Sequence, residues 1–283
     1  MTTSPPQEAP YGSHSVSRFV EALRALGSRA PDNGVGRRFA SLTRRACFAA
    51  APAPYDVEIF PSVRVRLRPS TNRTEKRAFL AAHHWDAPER AALEAALLAA
   101  NPSAPFSFVD VGANVGLYGL SLLAAARRAN RRLKVLAIEP DAVNRGRLAF
   151  NVAASGEGVT IEPAAVGRVS GQARLVQDVR NRGETRIGHG SDEGVLVEVR
   201  TLVSILASHG IETVDAMKVD VEGMDFDVLA GLFEQAPQTL WPRTLVVEAG
   251  RTAAEAAPLI DLLAANGYHI AVRTRLNVVA VRL

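Results

Sequence analysis

One cysteine, Cys47, occurs in 283 residues, which excludes an internal disulfide and a metal site built from thiolates. No apolar run reaches the ~20 residues that a membrane-spanning helix requires. Residues 1–10 lack the basic start and apolar stretch of a secretion signal. A cytoplasmic protein without a membrane span is therefore expected. Lysine is scarce as well: Lys76, Lys134 and Lys218 are the full set, so arginine carries the basic charge. Aromatic residues make up 6% of the chain and are not interleaved with the basic ones. No Asn-Pro-Pro-Tyr element occurs either, which argues against a nucleic-acid substrate.

What the chain has is apolar substance. A hydrophobic content of 47% supports a large core, and the length exceeds that of a typical single domain. The division expected is an N-terminal extension over residues 1–100, with a disordered start, followed by a catalytic domain over 101–283. The net charge of +4 is unevenly spread: residues 1–78 carry +7 and the remainder −3. That excess suits a basic approach surface for an anionic or carrier-bound acceptor. The plainer reading is a solvated, arginine-rich surface.

From residue 106 the pattern alternates. Strands are expected near 106–111, 133–138, 159–165, 214–219 and 244–249, with helices near 115–128, 142–153, 201–208, 225–234 and 253–265. Such alternation specifies a doubly wound, mostly parallel α/β sheet covered on both faces. Residues 171–177 and 195–201 read as paired strands around a loop at 178–194, expected to be a mobile insert near the site. Residues 268–274 and 278–283 read as a C-terminal antiparallel hairpin. Earlier, 15–26, 36–50 and 88–100 are helical in pattern. Val63, Val65 and Leu67 alternate with Arg64, Arg66 and Arg68 as in a half-exposed strand whose arginine face meets solvent or substrate.

The chemistry concentrates at strand ends. A buried strand closes on Asp110, and Gly112 and Gly116 then let the backbone turn tightly and approach a ligand before a helix begins. The spacing is Gly-x-Asn-x-Gly through Asn114, so the middle glycine of the dinucleotide motif is missing and a cofactor without phosphates fits better. Glu139 ends the next apolar run, where a carboxylate can accept from the two hydroxyls of a ribose. Together these suggest an adenosine carrying an amino acid.

A third strand pattern leads into Lys218-x-Asp220-x-Glu222-Gly223. With Asp110-x-Gly112-Ala113-Asn114-x-Gly116 and Glu139-Pro140, in this order, the chain resembles the FkbM family of S-adenosylmethionine-dependent methyltransferases from about Phe106 to about Tyr268. It departs from that pattern at Met224-Asp225-Phe226-Asp227. The resemblance implies a class I methyltransferase Rossmann-like fold closed by the terminal hairpin, S-adenosyl-L-methionine as cofactor, and O-methylation of a small-molecule or glycan hydroxyl. It places Asp110, Gly112, Asn114, Gly116, Glu139, Val166 and Asp220 at the cofactor, with Ala165-Val166 beside the adenine.

Asp220 and Glu222, with Lys218 two residues earlier, are the catalytic candidates, because the carboxyl ends of parallel strands open into the ligand crevice. Asp220 is either a general base or an orienter of the cofactor's amino-acid part. Mg²⁺ held by Asp220, Glu222 and Glu248 is a less favoured third option, since separate strand ends would have to converge. His83, His84 and His189 are alternative bases, His209 suits a helix C-terminus, and His269 belongs to the final hairpin. An NAD-dependent oxidoreductase and a non-catalytic nucleoside-binding protein are the competing functions. The missing glycine and the terminal hairpin oppose the first; the full set of Asp110, Glu139, Asp220 and Glu222 opposes the second.

Overall fold

The computed structural model describes residues 8–31, 33–156, 158–177, 185–187 and 194–282. Helices α1 (Arg18–Ser28) and α2 (Gly34–Ala50) come first, then a hairpin of β1 (Tyr55–Phe60) and β2 (Val63–Leu67), then α3 (Arg73–Ala81) and α4 (Ala87–Ala99). The alternating part follows as β3 (Phe106–Val111), α5 (Leu117–Arg128), β4 (Leu133–Ile138), α6 (Ala142–Ala154) and β5 (Val159–Glu162). A small sheet interrupts it, made of β6 (Ala165–Val166), β7 (Gly171–Gln177), β8 (Thr185–Ile187) and β9 (Val195–Arg200). The chain then returns through α7 (Leu202–Ser208), β10 (Ala216–Val219), α8 (Asp225–Gln235), β11 (Thr244–Glu248), α9 (Ala253–Ala265), β12 (Tyr268–Arg273) and β13 (Asn277–Arg282).

Seven strands form the main sheet in the order β12-β13-β11-β10-β3-β4-β5. β13 runs antiparallel to both β11 and β12, and the other neighbours are parallel. This is the arrangement that the resemblance implies, a mostly parallel sheet closed by a terminal antiparallel hairpin. The chain leaves β3 outward to β4 and β5, then returns to β3's other edge with β10. A crevice therefore opens at the carboxyl ends of β3 and β10.

Alternate side chains of each strand feed two cores. Phe106, Phe108, Val135, Ala216 and Val246 pack with the β1–β2 hairpin, α3, α4 and α5. Val109, Leu136, Met217, Leu245 and Val247 pack against α7, α8 and α9. Caps fix the helix starts: Asp141 accepts from the Asn144 N–H at 2.7 Å, and Thr252 and Glu255 form a capping box.

Three expectations change. The strand expected over 159–165 stops at Glu162, because Pro163 supplies no N–H to a ladder, and Ala165–Val166 pairs with β9 instead. The arginine face of β2 is not uniformly outward: Arg66 is 1% exposed, bonded through Nε and Nη2 to Asp56 at 2.7 and 2.8 Å. Within the start expected to be disordered, residues 8–10 are held: Glu8 pairs with Arg66 and Arg68, and the Ala9 and Pro10 carbonyls accept from Arg66. Helix α3 has no counterpart in the sequence reading. His189 and most of the 178–194 loop lie outside the described residues. Among those described, no helix is long and apolar enough to cross a membrane.

Candidate active site

The ends of β3, β4, β10 and β11 open into one cavity of about 660 Å³, within the range of small-molecule sites. Gly112, Asn114, Glu139 and Val166 line one part of it, and Asp220, Glu222 and Glu248 another. Asp110, Gly116 and Lys218 are not part of this wall.

These three lie behind it. Asp110 and Lys218 are register partners on β3 and β10, both buried on the face toward α5. The Lys218 Nζ lies 4.0 Å from Asp110 Oδ1 and 3.0 Å from Asp220 Oδ2, donates to the Gly112 carbonyl at 3.4 Å, and stands 5.1 Å from the Tyr118 ring centre. Burial alone would drive this ammonium down, but Asp220 and Asp110 together outweigh it and hold its pKa above the ordinary lysine value. Asp110 also accepts from the Gly119 N–H at 3.4 Å, near the start of α5. Lys218 thus links the floor of the site to a carboxylate, Asp220, that faces the cavity.

Gly112 lines the cavity with φ +74°, and a Cβ there would sit 1.9 Å from the Asp220 carbonyl oxygen, so the missing side chain also makes room for the backbone that follows β10. A Cβ at Gly116 would sit 2.3 Å from Leu148 Cδ1, so that glycine permits packing against α6. Asn114 takes a left-handed φ of 54°, and its Oδ1 accepts from Asn72 Nδ2 at 2.8 Å. Asn72 caps α3 through the Glu75 N–H, so the N-terminal segment anchors the loop.

Glu139 is 5% exposed. Its Oε2 accepts from the Asn114 N–H at 2.7 Å and its Oε1 from the Asp141 N–H at 2.9 Å. Burial pushes its pKa up to about 8 against those two bonds. Each oxygen keeps a second lone pair for a ligand donor.

Beyond β10, Glu222 adopts a left-handed φ of 51°. Asp225 fastens the turn by accepting from the Val221 and Gly223 N–H groups at 3.2 and 3.3 Å. Burial, with the charge of Asp220, raises Asp225 to about 6. Burial, then the charges of Asp220 and Asp225 and a hydrogen bond with Asp220, raises Glu248 to about 7. Asp220, Glu222 and Glu248 share the cavity, yet among the described residues no three His, Cys, Asp or Glu side chains group to hold a metal.

His84 lines the cavity and lies 3.2 Å through Nε2 from the Ala30 carbonyl; its ring stacks tilted on His83. His209 caps α7 and pairs with Glu162 at 2.8 Å, and His269 is exposed on β12. Sequence reasoning missed Asn72 and Glu89, whose partners Asn114, Thr274 and Asn277 lie far along the chain, the turn-closing role of Asp225, and the cavity-lining Arg73 and Arg77 of α3. Only the N-terminal basic excess hinted at the arginines.

The methyltransferase FkbM domain family matches residues 110–270. Methyltransferase sdnD of Sordaria araneosa is 30% identical over 203 residues, covering 60% of this chain and 75% of that protein. AMB antimetabolite synthetase AmbE of Pseudomonas aeruginosa is 29% identical over 208 residues; the match covers 58% of this chain and 10% of that protein. This chain thus corresponds to about a tenth of that relative's length. Among solved structures, human methyltransferase 10 domain containing protein aligns with TM-score 0.42 and 14% identity over 93% of this chain and 97% of that one. A SAM-dependent methyltransferase from Agrobacterium tumefaciens aligns with TM-score 0.45 and 12% identity over 75% and 57%.

Proposed function

We propose, from the premise that this chain belongs to the FkbM methyltransferase family, that it transfers a methyl group from S-adenosylmethionine to a hydroxyl of a small molecule or glycan. One observation carries the reading. A single cavity joins a buried carboxylate at the end of β4, Glu139, to a carboxylate pair at the ends of β10 and β11, Asp220 and Glu248.

The residues present fit that cofactor. Glu139 retains lone pairs for two ribose hydroxyls, and Ala164, Ala165 and Val166 offer an apolar wall to a flat base. Gly112 and Asn114 would meet the amino-acid part, with Asp110 and Gly116 supporting the loop from behind. When bound, S-adenosylmethionine supplies an electrophilic methyl on a sulfonium sulfur.

The chain's own work is alignment, which dominates an in-line displacement, and removal of one proton. Asp220 is held by Lys218 on one side and bonded to Glu248 on the other. The acceptor hydroxyl's proton passes to this pair, for which Glu248's ordinary value is moved toward neutrality, as suits a base working near pH 7. Glu222, on the same wall, orients the acceptor.

Calorimetric titration with S-adenosylhomocysteine and, separately, NAD tests the cofactor. Binding of the first and not the second is expected. Glu139→Ala should weaken that binding by about 1–3 kcal/mol, because the ribose hydroxyls lose a buried hydrogen-bond acceptor. Equal affinity in the variant would remove Glu139 from the cofactor site.

A further inference from the structure

Helix α4, outside the family match, sends one carboxylate to the cavity. Glu89 is 2% exposed and belongs to the cavity wall. Its Oε1 accepts from Thr274 Oγ1 at 2.7 Å and from Asn277 Nδ2 at 2.8 Å, across the turn between β12 and β13. Its Oε2 is equally buried and has no hydrogen-bond partner among the described residues. A buried carboxylate oxygen left unpaired is costly, so such an atom calls for an explanation. Asp110 Oδ1, also without a hydrogen bond, has the Lys218 ammonium 4.0 Å away. No ion pair to Glu89 is seen among the described residues, and its residue stands on the ligand cavity.

Its place is specific. Asn277, which holds Glu89, is the register partner of Glu248, and β11 lies beside β10. Glu89 is therefore fixed near the Asp220–Glu248 pair. The two oxygens are differentiated: one is saturated by the fold, the other is left for a donor.

We propose that Glu89 is a specificity-determining residue that accepts a hydrogen bond from a second hydroxyl of the acceptor, so that the substrate is a polyol of the sugar or cyclitol class. This rests on the methyl-transfer reading and names its substrate class. A hydroxyl suits this cavity better than an ammonium because carboxylates and arginines, Arg251 and Arg275 among them, line it together, and a hydroxyl can both donate and accept. A polyol donates to Glu89 and accepts from arginine.

Saturation-transfer difference NMR with methyl α-glucoside, methyl α-rhamnoside and myo-inositol tests this on the full chain saturated with S-adenosylhomocysteine. Cyclohexanol and cyclohexylamine serve as size-matched controls. The polyols are expected to give signal and the controls none. Glu89→Gln should weaken the polyol signal by roughly tenfold in apparent affinity while leaving S-adenosylhomocysteine affinity and Tm unchanged. A second variant, Thr274→Val, frees one bond on Oε1 and should weaken polyol binding less. Equal polyol binding by wild type and Glu89→Gln overturns the proposal, as do stronger signals from cyclohexanol or cyclohexylamine and silence from all three polyols. Failure of the underlying reading is separate, because it appears as loss of S-adenosylhomocysteine binding by the wild-type protein.

Discussion

Asp220 is bound on two sides, and each side defines a different role. Lys218 lies 3.0 Å from its Oδ2, which makes Asp220 the counter-charge of a buried ammonium; its bond to Glu248 makes it half of a proton-accepting pair. Asp220→Asn keeps the size and one acceptor oxygen but removes the charge. We expect turnover to fall about 10²–10⁴-fold, in the range typical of a lost acid–base group, with S-adenosylhomocysteine affinity nearly unchanged. Affinity falling in step with turnover would assign Asp220 to holding the cofactor. Asp220→Asn combined with Lys218→Met separates the remaining possibility. Recovery of turnover in the double variant would show that Asp220 acts only by neutralising Lys218.

At the level of elements, the parallel strands were legible because each is a short apolar run closed by a charged or glycine-rich turn, and the terminal hairpin because two such runs flank Arg275–Asn277. Legibility fails where a residue's environment is supplied from far along the chain. Arg66 reads as the outward side of an alternating strand, yet its partners are Asp56, across the β1–β2 pair, and Glu8, before the first helix. Glu89 reads as an ordinary acid in the first turn of a helix, and only residues 185 and 188 positions later give it another meaning. Gly112 reads as a turn glycine from its spacing, whereas its close approach to the Asp220 carbonyl, 108 residues later, has no local signal. The Arg66 clamp also makes a prediction. Removing one member of a buried pair strands its partner, so Arg66→Ala should cost about 3–5 kcal/mol by urea denaturation. Arg66→Met with Asp56→Leu should recover much of that loss, since no charge is left buried. A single variant as stable as wild type would mean that the Arg66 clamp adds nothing to stability.

For the whole molecule, one core runs from the N-terminal helices and hairpin into the first face of the main sheet, so titration at the cavity reports on the entire fold. Burial raises Glu139 to about 8, Glu75 and Glu248 to about 7, and Asp225 to about 6. A carboxyl whose pKa is higher folded than unfolded binds more protons in the folded state. Its contribution is therefore complete below the unfolded value and disappears as pH rises through the folded one. Asp56 and Glu8 act in the opposite sense: the bonds from Arg66 and Arg68 outweigh burial and lower them, so their contribution vanishes only in acid. His83, lowered by burial, gains stability as pH rises through the ordinary histidine range, but it is one group against these four and against Asp86 and Asp110, which burial also raises. Stability should therefore peak near pH 5 and fall between about pH 5 and about pH 8, seen as a declining urea midpoint at constant slope. Glu139→Gln removes the group with the widest window and should flatten that decline most strongly above pH 7. A midpoint that rises from pH 5 to pH 8 would mean that these carboxyls are ionised in the folded protein, with solvent reaching the strand ends that the fold otherwise covers.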